Sequence, residues 1–206
     1  MTYWDERYAG GHLPWDTGEP AAHLVEYFAA REPKPARVLE VGCGTGTNAL
    51  WLAAQGCTVL GIDIAPRAIA KAQAKAHATS ASGARFAIAD FLHDEIGDEG
   101  PFDFVFDRGV LHVFDEASAR ERFAARVAAQ LVTGGTWLSL IGSTEGPPRE
   151  EGPPRRNLRE LADAIEPVLE IIELRAIAFD IATPARAWWL VARKRDVAAQ
   201  PSTRRG

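Results

Sequence analysis

Cysteine is scarce in this sequence: Cys43 and Cys57 are the two among 206 residues. Two are too few for the disulfide framework of a secreted protein, and one lies inside a glycine-rich turn that a disulfide would stiffen. A reducing, cytoplasmic compartment is therefore expected. Basic charge is scarce as well. Lysine and arginine total 23 against 28 aspartates and glutamates, a net charge of −5, which leaves no excess to neutralise phosphates and argues against a nucleic-acid partner. No apolar run approaches the roughly 18 residues of a membrane span, so no membrane partner is expected. The N-terminus, Met-Thr-Tyr-Trp-Asp-Glu-Arg, lacks the basic-then-apolar layout of a signal peptide. There is no Cys/His pair at metal-ligand spacing, and no metal is expected. What is present is a globular composition, 47% hydrophobic and 25% charged, in a chain long enough for one continuous core.

Strands and helices alternate from residue 37. Short apolar runs at Arg37–Val41, Thr58–Ile62, Arg85–Ala89, Phe102–Phe106 and Trp137–Ile141 predict strands. Helices are expected over about 46–55, over the alanine-rich Pro66–His77 and over Glu116–Leu131, where Phe123, Val127 and Leu131 recur at helical spacing. Gly134-Gly135 reads as the stop of that last helix. A helix at Leu158–Ile165 precedes two strands, Val168–Leu174 and Ala187–Arg193, with no room for a helix between them. This alternation implies a parallel sheet covered on both faces, and the closing hairpin puts one antiparallel strand at an edge. Residues 1–193 read as a single domain whose first 30 residues cap the carboxyl end of the first strand, with 194–206 as a disordered tail. Glu145-Gly-Pro-Pro-Arg149 recurs as Glu151-Gly-Pro-Pro-Arg155 in a loop spanning 142–156, which is either a lid or a tolerated surface insertion.

The densest signal is Glu40-Val41-Gly42-Cys43-Gly44-Thr45-Gly46: a strand end, a glycine turn and a helix start, the context of a nucleotide site. Read from Gly44, the run Gly44-x-Gly46-x-x-Ala49 even fits the relaxed dinucleotide fingerprint of a dehydrogenase. Two features weigh against that. Counted from Gly42, the first residue beyond the strand, the third fingerprint position is Thr47. Glu40 then stands at the strand's carboxyl end, where a carboxylate repels a pyrophosphate but attracts the ammonium and sulfonium of S-adenosylmethionine. A carboxylate that merely caps the next helix is the alternative. Asp63, followed by Ile64, ends the second strand about 20 residues on, where nucleotide folds bind a ribose diol. Asp90-Phe91 ends the third, where the carboxylate can accept from an adenine amino group and the Phe91 backbone can meet the ring edge.

With these residues the chain resembles the class I S-adenosylmethionine-dependent methyltransferases over about residues 36–193. Within them it is similar to the thiopurine S-methyltransferase-like group of small-molecule thiol methyltransferases and their tellurite-resistance relatives. Trp4-Asp5-Glu6-Arg7-Tyr8, Gly11-His12-Leu13-Pro14-Trp15-Asp16 and Phe102-Asp103-Phe104-Val105-Phe106-Asp107-Arg108-Gly109-Val110-Leu111 carry the finer likeness. The resemblance implies an α/β, Rossmann-like seven-stranded mostly parallel sheet with an antiparallel edge strand and helices on both faces. It implies S-adenosyl-L-methionine as cofactor, with Glu40 and the turn of Gly42, Cys43, Gly44 and Gly46 near its methionine moiety. Asp63 would lie on the ribose, Asp90 and Phe91 at the adenine, Asp107 beside the methionine end, and Arg108 facing the acceptor. The chain is shorter than the mammalian thiopurine enzymes, so thiopurines do not follow as its substrate.

Methyl transfer is an in-line displacement from a good leaving group, for which a protein mainly supplies proximity and orientation. A thiol with a pKa of about 8.5 needs modest help toward the thiolate, whereas an aliphatic alcohol needs a strong base. His112, a few residues past Asp107, is the candidate base, with a packing or helix-capping histidine as the alternative. His12 is a weaker candidate. Arg108 can stabilise an anionic acceptor or pair with Asp107, and Trp15 can close over the sulfonium. Arg155 and Arg156 can meet an anionic substrate or remain solvated. The expected function is methyl transfer to a small molecule, a thiol first. An oxygen or nitrogen acceptor is the alternative, and a non-catalytic S-adenosylmethionine-binding protein is the alternative of another class. A monomer is expected, with a dimer as the second possibility.

Overall fold

The computed structural model describes residues 3–11, 13–32, 34–97, 100–147, 152–179 and 185–196. Seven strands form one sheet: β1 (Arg37–Val41), β2 (Thr58–Asp63), β3 (Ala84–Ile88), β4 (Phe102–Arg108), β5 (Leu131–Gly142), β6 (Glu170–Ala178) and β7 (Arg186–Arg193). Their spatial order is β3-β2-β1-β4-β5-β7-β6. The first five run parallel. β7 is antiparallel to both neighbours, so the reversed strand lies one place in from the edge that β6 forms. Chain order reverses between β1 and β4, and the crevice beyond the carboxyl ends of such strands is where α/β sheets bind ligands.

The helices are α1 (Tyr3–Ala9), α2 (Ala22–Ala29), α3 (Thr47–Ala54), α4 (Pro66–Thr79), α5 (Ala117–Gln130) and α6 (Leu158–Ile165), with one 3₁₀ turn at Leu111–Val113. Strand residues alternate between two apolar layers, as a two-residue period requires. Leu39, Val41, Val105 and Trp137 pack with Phe123 and Val127 of α5 and Leu161 and Ile165 of α6. Val38, Phe104, Phe106, Leu138 and Leu140 pack with Leu24, Tyr27 and Phe28 of α2 and Ala49 and Leu52 of α3. The same parity sorts the charged strand ends. Glu40 continues the row of Val38, and Arg108 that of Phe104 and Phe106, toward α2 and α3. Asp107 continues the row of Val105, toward α5.

The first 30 residues divide into two roles. α1 packs on α4 through Tyr8 against Ala65 and Ala68. Asp5 accepts the Arg67 backbone N–H at 2.9 Å and pairs with its guanidinium, and Lys71 Nζ donates to the Tyr8 carbonyl at 3.0 Å. α2 instead covers a sheet face. Among the described residues no helix is long and apolar enough to cross a membrane.

Gly134-Gly135 does not stop α5. The helix ends at Gln130 and β5 begins at Leu131, so both glycines lie inside the strand, where its register against β4 shifts between Phe102 and Phe104. A β-carbon on Gly135 would come within 2.9 Å of the Val132 carbonyl oxygen, and Gly134 takes φ +77°; the pair forms a bulge. The segment read as a tail begins bonded to the domain. Lys194 N donates to Gly135 O at 2.9 Å, and Arg195 Nη1 donates to Glu166 O at 2.8 Å. Residues 197–206 lie outside the described residues.

Candidate active site

At the end of β1, Glu40 is 2% exposed. Its Oε1 accepts from Asn48 Nδ2 at 3.0 Å, while its Oε2 is buried without a hydrogen bond. Burial pushes its pKa up to about 8, against the pull of Asn48 and the nearby Ala49 N–H; Asp63 adds to the rise and Arg108 opposes it. A buried carboxylate oxygen lacking a donor is what a cationic group requires and what a phosphate avoids. These residues therefore fit the ammonium end of S-adenosylmethionine.

The turn that follows is shaped as much by the protein's own neighbours as by any ligand. A β-carbon on Gly42 would lie 2.3 Å from Val110 Cγ2, and one on Gly44 would lie 2.9 Å from the Tyr8 hydroxyl. Both residues have positive φ, as does Gly46, so glycine is required there twice over. Cys43 faces inward. Its thiol is buried, its N–H donates to Ile62 O at 2.9 Å and its carbonyl accepts from Gly46 N at 2.9 Å. Asp63 accepts Gly44 N–H on Oδ2 and Ala65 N–H on Oδ1, both at 2.9 Å. It braces the turn, and each oxygen keeps a lone pair beside half-buried Ile64. Burial raises its pKa against those N–H bonds.

Asp90 organises its own turn. Oδ1 accepts Leu92 N–H at 2.9 Å, and Oδ2 lies 2.9 Å from His93 Nδ1. The Phe91 ring packs edge-on against Phe123 at 4.9 Å, inside the α5 layer. The Phe91 ring is thereby withdrawn into the core, while the Asp90 carboxylate stays partly exposed.

The end of β4 departs further from expectation. Asp107 is fully buried and faces α5: Oδ1 accepts from Val110 and Leu111 N–H at 3.1 and 3.3 Å, and Oδ2 accepts from Trp137 Nε1 at 2.9 Å. Burial raises its pKa, and the bonds from Trp137, Leu111 and Val110 oppose the shift. Its carboxylate bonds are spent on the loop after β4 and on β5, on the face opposite to Arg108. Arg108 points the other way, donates to the Trp15 carbonyl at 3.1 Å and lies 4.8 Å over the Phe179 ring.

His112 is also buried, and its Nδ1 accepts the Gly142 backbone N–H at 2.8 Å. With Nδ1 occupied as an acceptor, the neutral ring carries its proton on Nε2. The lone pair that a general base would use is engaged by the Gly142 N–H in this arrangement. His12, the weaker candidate, lies outside the described residues.

The cap meets the turn through several contacts. Trp15 Nε1 donates to the Tyr8 hydroxyl at 3.3 Å. Thr45 Oγ1 donates to Asp16 Oδ2 at 2.7 Å and accepts from Lys75 Nζ at 2.5 Å. Burial, with Asp63 nearby, raises the Tyr8 hydroxyl pKa well above its ordinary value. On the far side, Arg156 is buried and paired with Asp115 and Glu160, so its guanidinium is structural. Arg155 is tied to Pro147 O at 3.2 Å. Residues 148–151, the middle of the candidate lid, lie outside the described residues.

Sequence reasoning singled out neither Asn48 nor Phe179. Asn48 carried a signal, being an amide in the first turn of an otherwise apolar helix directly after the glycines. Phe179 carried none, because its place beside Arg108 depends on the pairing of β6 with β7.

Comparisons with known proteins bear on this site. The family described as Thiopurine S-methyltransferase (TPMT) matches residues 1–188. The chain is similar to probable thiol methyltransferase 2 of Arabidopsis thaliana, 31% identical over 155 residues, 73% of this chain; it spans 65% of that relative's length. It is also similar to the thiopurine S-methyltransferase of Xanthomonas axonopodis pv. citri, 34% identical over 168 residues, 74% of this chain and 75% of the other. A structure solved for the conversion of a disulfide bond into a thioacetal group during echinomycin biosynthesis is 28% identical, with a TM-score of 0.80, covering 93% of this chain and 91% of its own.

Proposed function

Because the chain belongs to the thiopurine S-methyltransferase family, we propose that it transfers the methyl group of S-adenosylmethionine to the sulfur of a small-molecule thiol. The observation that carries this reading is the open, buried Oε2 of Glu40 at the carboxyl end of β1. When bound there, the cofactor supplies a methyl group on a sulfonium leaving group. Glu40 receives the cationic end, the turn braced by Asp63 supports it, and Tyr8 and Trp15 close the cap over it. Arg108, held by the Trp15 carbonyl and the face of Phe179, brings positive charge to the acceptor side and favours an ionised acceptor.

Sulfur is preferred because, among the described residues, the acceptor side offers no strong base. His112 presents a donor, and Asp107 is enclosed by Trp137, Val110 and Leu111. A thiol ionises near neutral pH and releases its proton to water, whereas an alcohol does not. With the cofactor bound, an acceptor sulfur lone pair would form the new bond to carbon as the methyl–sulfonium bond breaks, with S-adenosylhomocysteine as the leaving group. The test is S-adenosylhomocysteine release across matched thiols, phenols and amines. Thiols are expected to react far faster. A phenol or amine outpacing every thiol would move the reaction to oxygen or nitrogen, and tight binding without turnover on the whole panel would make the chain a binding protein.

A further inference from the structure

We infer that Asn48 is a positioning residue for cofactor recognition: its side-chain amide, locked by the chain entering α2, holds one oxygen of Glu40 and leaves the other facing the cofactor's cation. Asn48 Oδ1 accepts the Ala21 N–H at 2.8 Å. An amide whose oxygen is so engaged has one orientation, and its Nδ2 must then point to Glu40, where it donates to Oε1 at 3.0 Å. This relay joins three elements: the end of β1, the first turn of α3 and the residue before α2. Oε2 is the orphan it leaves behind. The inference rests on the reading of Glu40 as the residue that receives a cationic cofactor.

The charge environment explains why a donor is needed there. Facing Glu40 are Asp63 from the end of β2, which disfavours its ionised form, Arg108 from the end of β4, which favours it, and Cys43 from the turn. Burial outweighs Arg108, and Asn48 supplies the largest opposing contribution. Without its N–H the carboxylate would hold a proton to higher pH, and a protonated carboxyl attracts a cation poorly.

Asn48→Asp separates positioning from folding. It is isosteric and still accepts from Ala21 N–H, but it replaces the donor to Glu40 with a carboxylate. The experiment measures S-adenosylhomocysteine dissociation constants by calorimetry at pH values on either side of about 8 for the wild type, Asn48→Asp, Asn48→Ala and Glu40→Gln. The ligand's own α-amine titrates at about 8 as well, so Glu40→Gln supplies the baseline for it. Wild-type affinity is expected to rise with pH relative to that baseline. In both Asn48 variants the rise is expected to move to higher pH, with binding at neutral pH weakened about tenfold or more.

A merely structural Asn48 would weaken binding by the same factor at every pH and leave the midpoint in place. That result would overturn the proposal, as would unchanged affinity in Asn48→Asp. If Glu40→Gln binds like the wild type, the role of Glu40 fails and the proposal fails with it. If the wild type does not bind S-adenosylhomocysteine, the cofactor reading itself is what has failed.

Discussion

A carboxylate with one oxygen bonded and the other buried is unfavourable until a cation or a proton reaches it. Glu40 is held with a pKa of about 8 by burial, above the ordinary value of about 4.3. The folded chain therefore binds a proton that the unfolded chain has released between those two values. By linkage, the stability tied to this proton is fully present below the unfolded value and is lost as pH rises through the folded one. Glu40→Gln removes that dependence. The variant without ligand should melt above the wild type in alkaline buffer and approach it in mildly acidic buffer. Cofactor affinity runs the opposite way, rising with pH toward about 8 in the wild type, and it should fall by about 10–100-fold in the variant. Melting curves with and without S-adenosylhomocysteine across pH check both signs, and a variant that melts no higher at alkaline pH contradicts the account.

His112 makes a second prediction at this scale. With Nδ1 accepting from Gly142 N–H, the rising limb of kcat/KM against pH should belong to the acceptor. Two thiols of different acidity should then shift it by the difference in their own pKa values. A limb at the same pH for both thiols, measured at saturating cofactor, would assign the base role to the histidine. The residue type and its place beyond β4 were readable in the sequence. Its tautomer was not, because the group that sets it lies 30 residues away at the end of β5.

Among the elements, strand parity decided which acids reach the crevice. The strand order and the helices between were legible from the alternation of apolar runs, because buried parallel strands need apolar residues on both faces. The end of β4 was expected at Phe106, whereas the ladder runs to Arg108. Asp107 then takes the α5 face and Arg108 the α3 face, a split that two more residues of strand would have revealed. The glycines at 134–135 misled for a related reason: a helix stop and a strand bulge use the same residue, and only pairing with β4 tells them apart.

Asp107 is thus a brace for the loop that carries Val110 and His112, accepting three donors from that loop and from β5. Asp107→Asn must point its amide group at one of those donors. It should lower unfolding stability by about 2–4 kcal/mol. Trp137→Phe, which leaves one acceptor site empty, should cost about 1–3 kcal/mol. Urea titration checks both through the midpoint, with the slope unchanged. A neutral Asp107→Asn would mean that the carboxylate is not carrying the loop.

Across the whole molecule, the site gathers residues that the chain keeps far apart: Tyr8 and Trp15 from the cap, Glu40 and Asn48 around the turn, Asp63, and Arg108 beside Phe179. Their meeting point exists only in the folded sheet, because it lies where β1 and β4 part. A ligand that bridges them binds the native state and not the unfolded chain, so it must raise stability by mass action. At a hundred times its dissociation constant, S-adenosylhomocysteine should add about 2.7 kcal/mol, which in a domain of this size is a melting shift of about 5–10 °C. NAD, whose pyrophosphate would meet the buried carboxylate of Glu40, should give no shift at the same concentration. The two ligands share adenosine, so the contrast isolates charge at the end of β1 rather than adenine recognition. Equal shifts from both would place the binding energy in the adenosine half and remove Glu40 as the selector. A shift from S-adenosylhomocysteine that shrinks sharply in Glu40→Gln, measured against the variant's own melting point, would locate selection for the cation at that one buried oxygen.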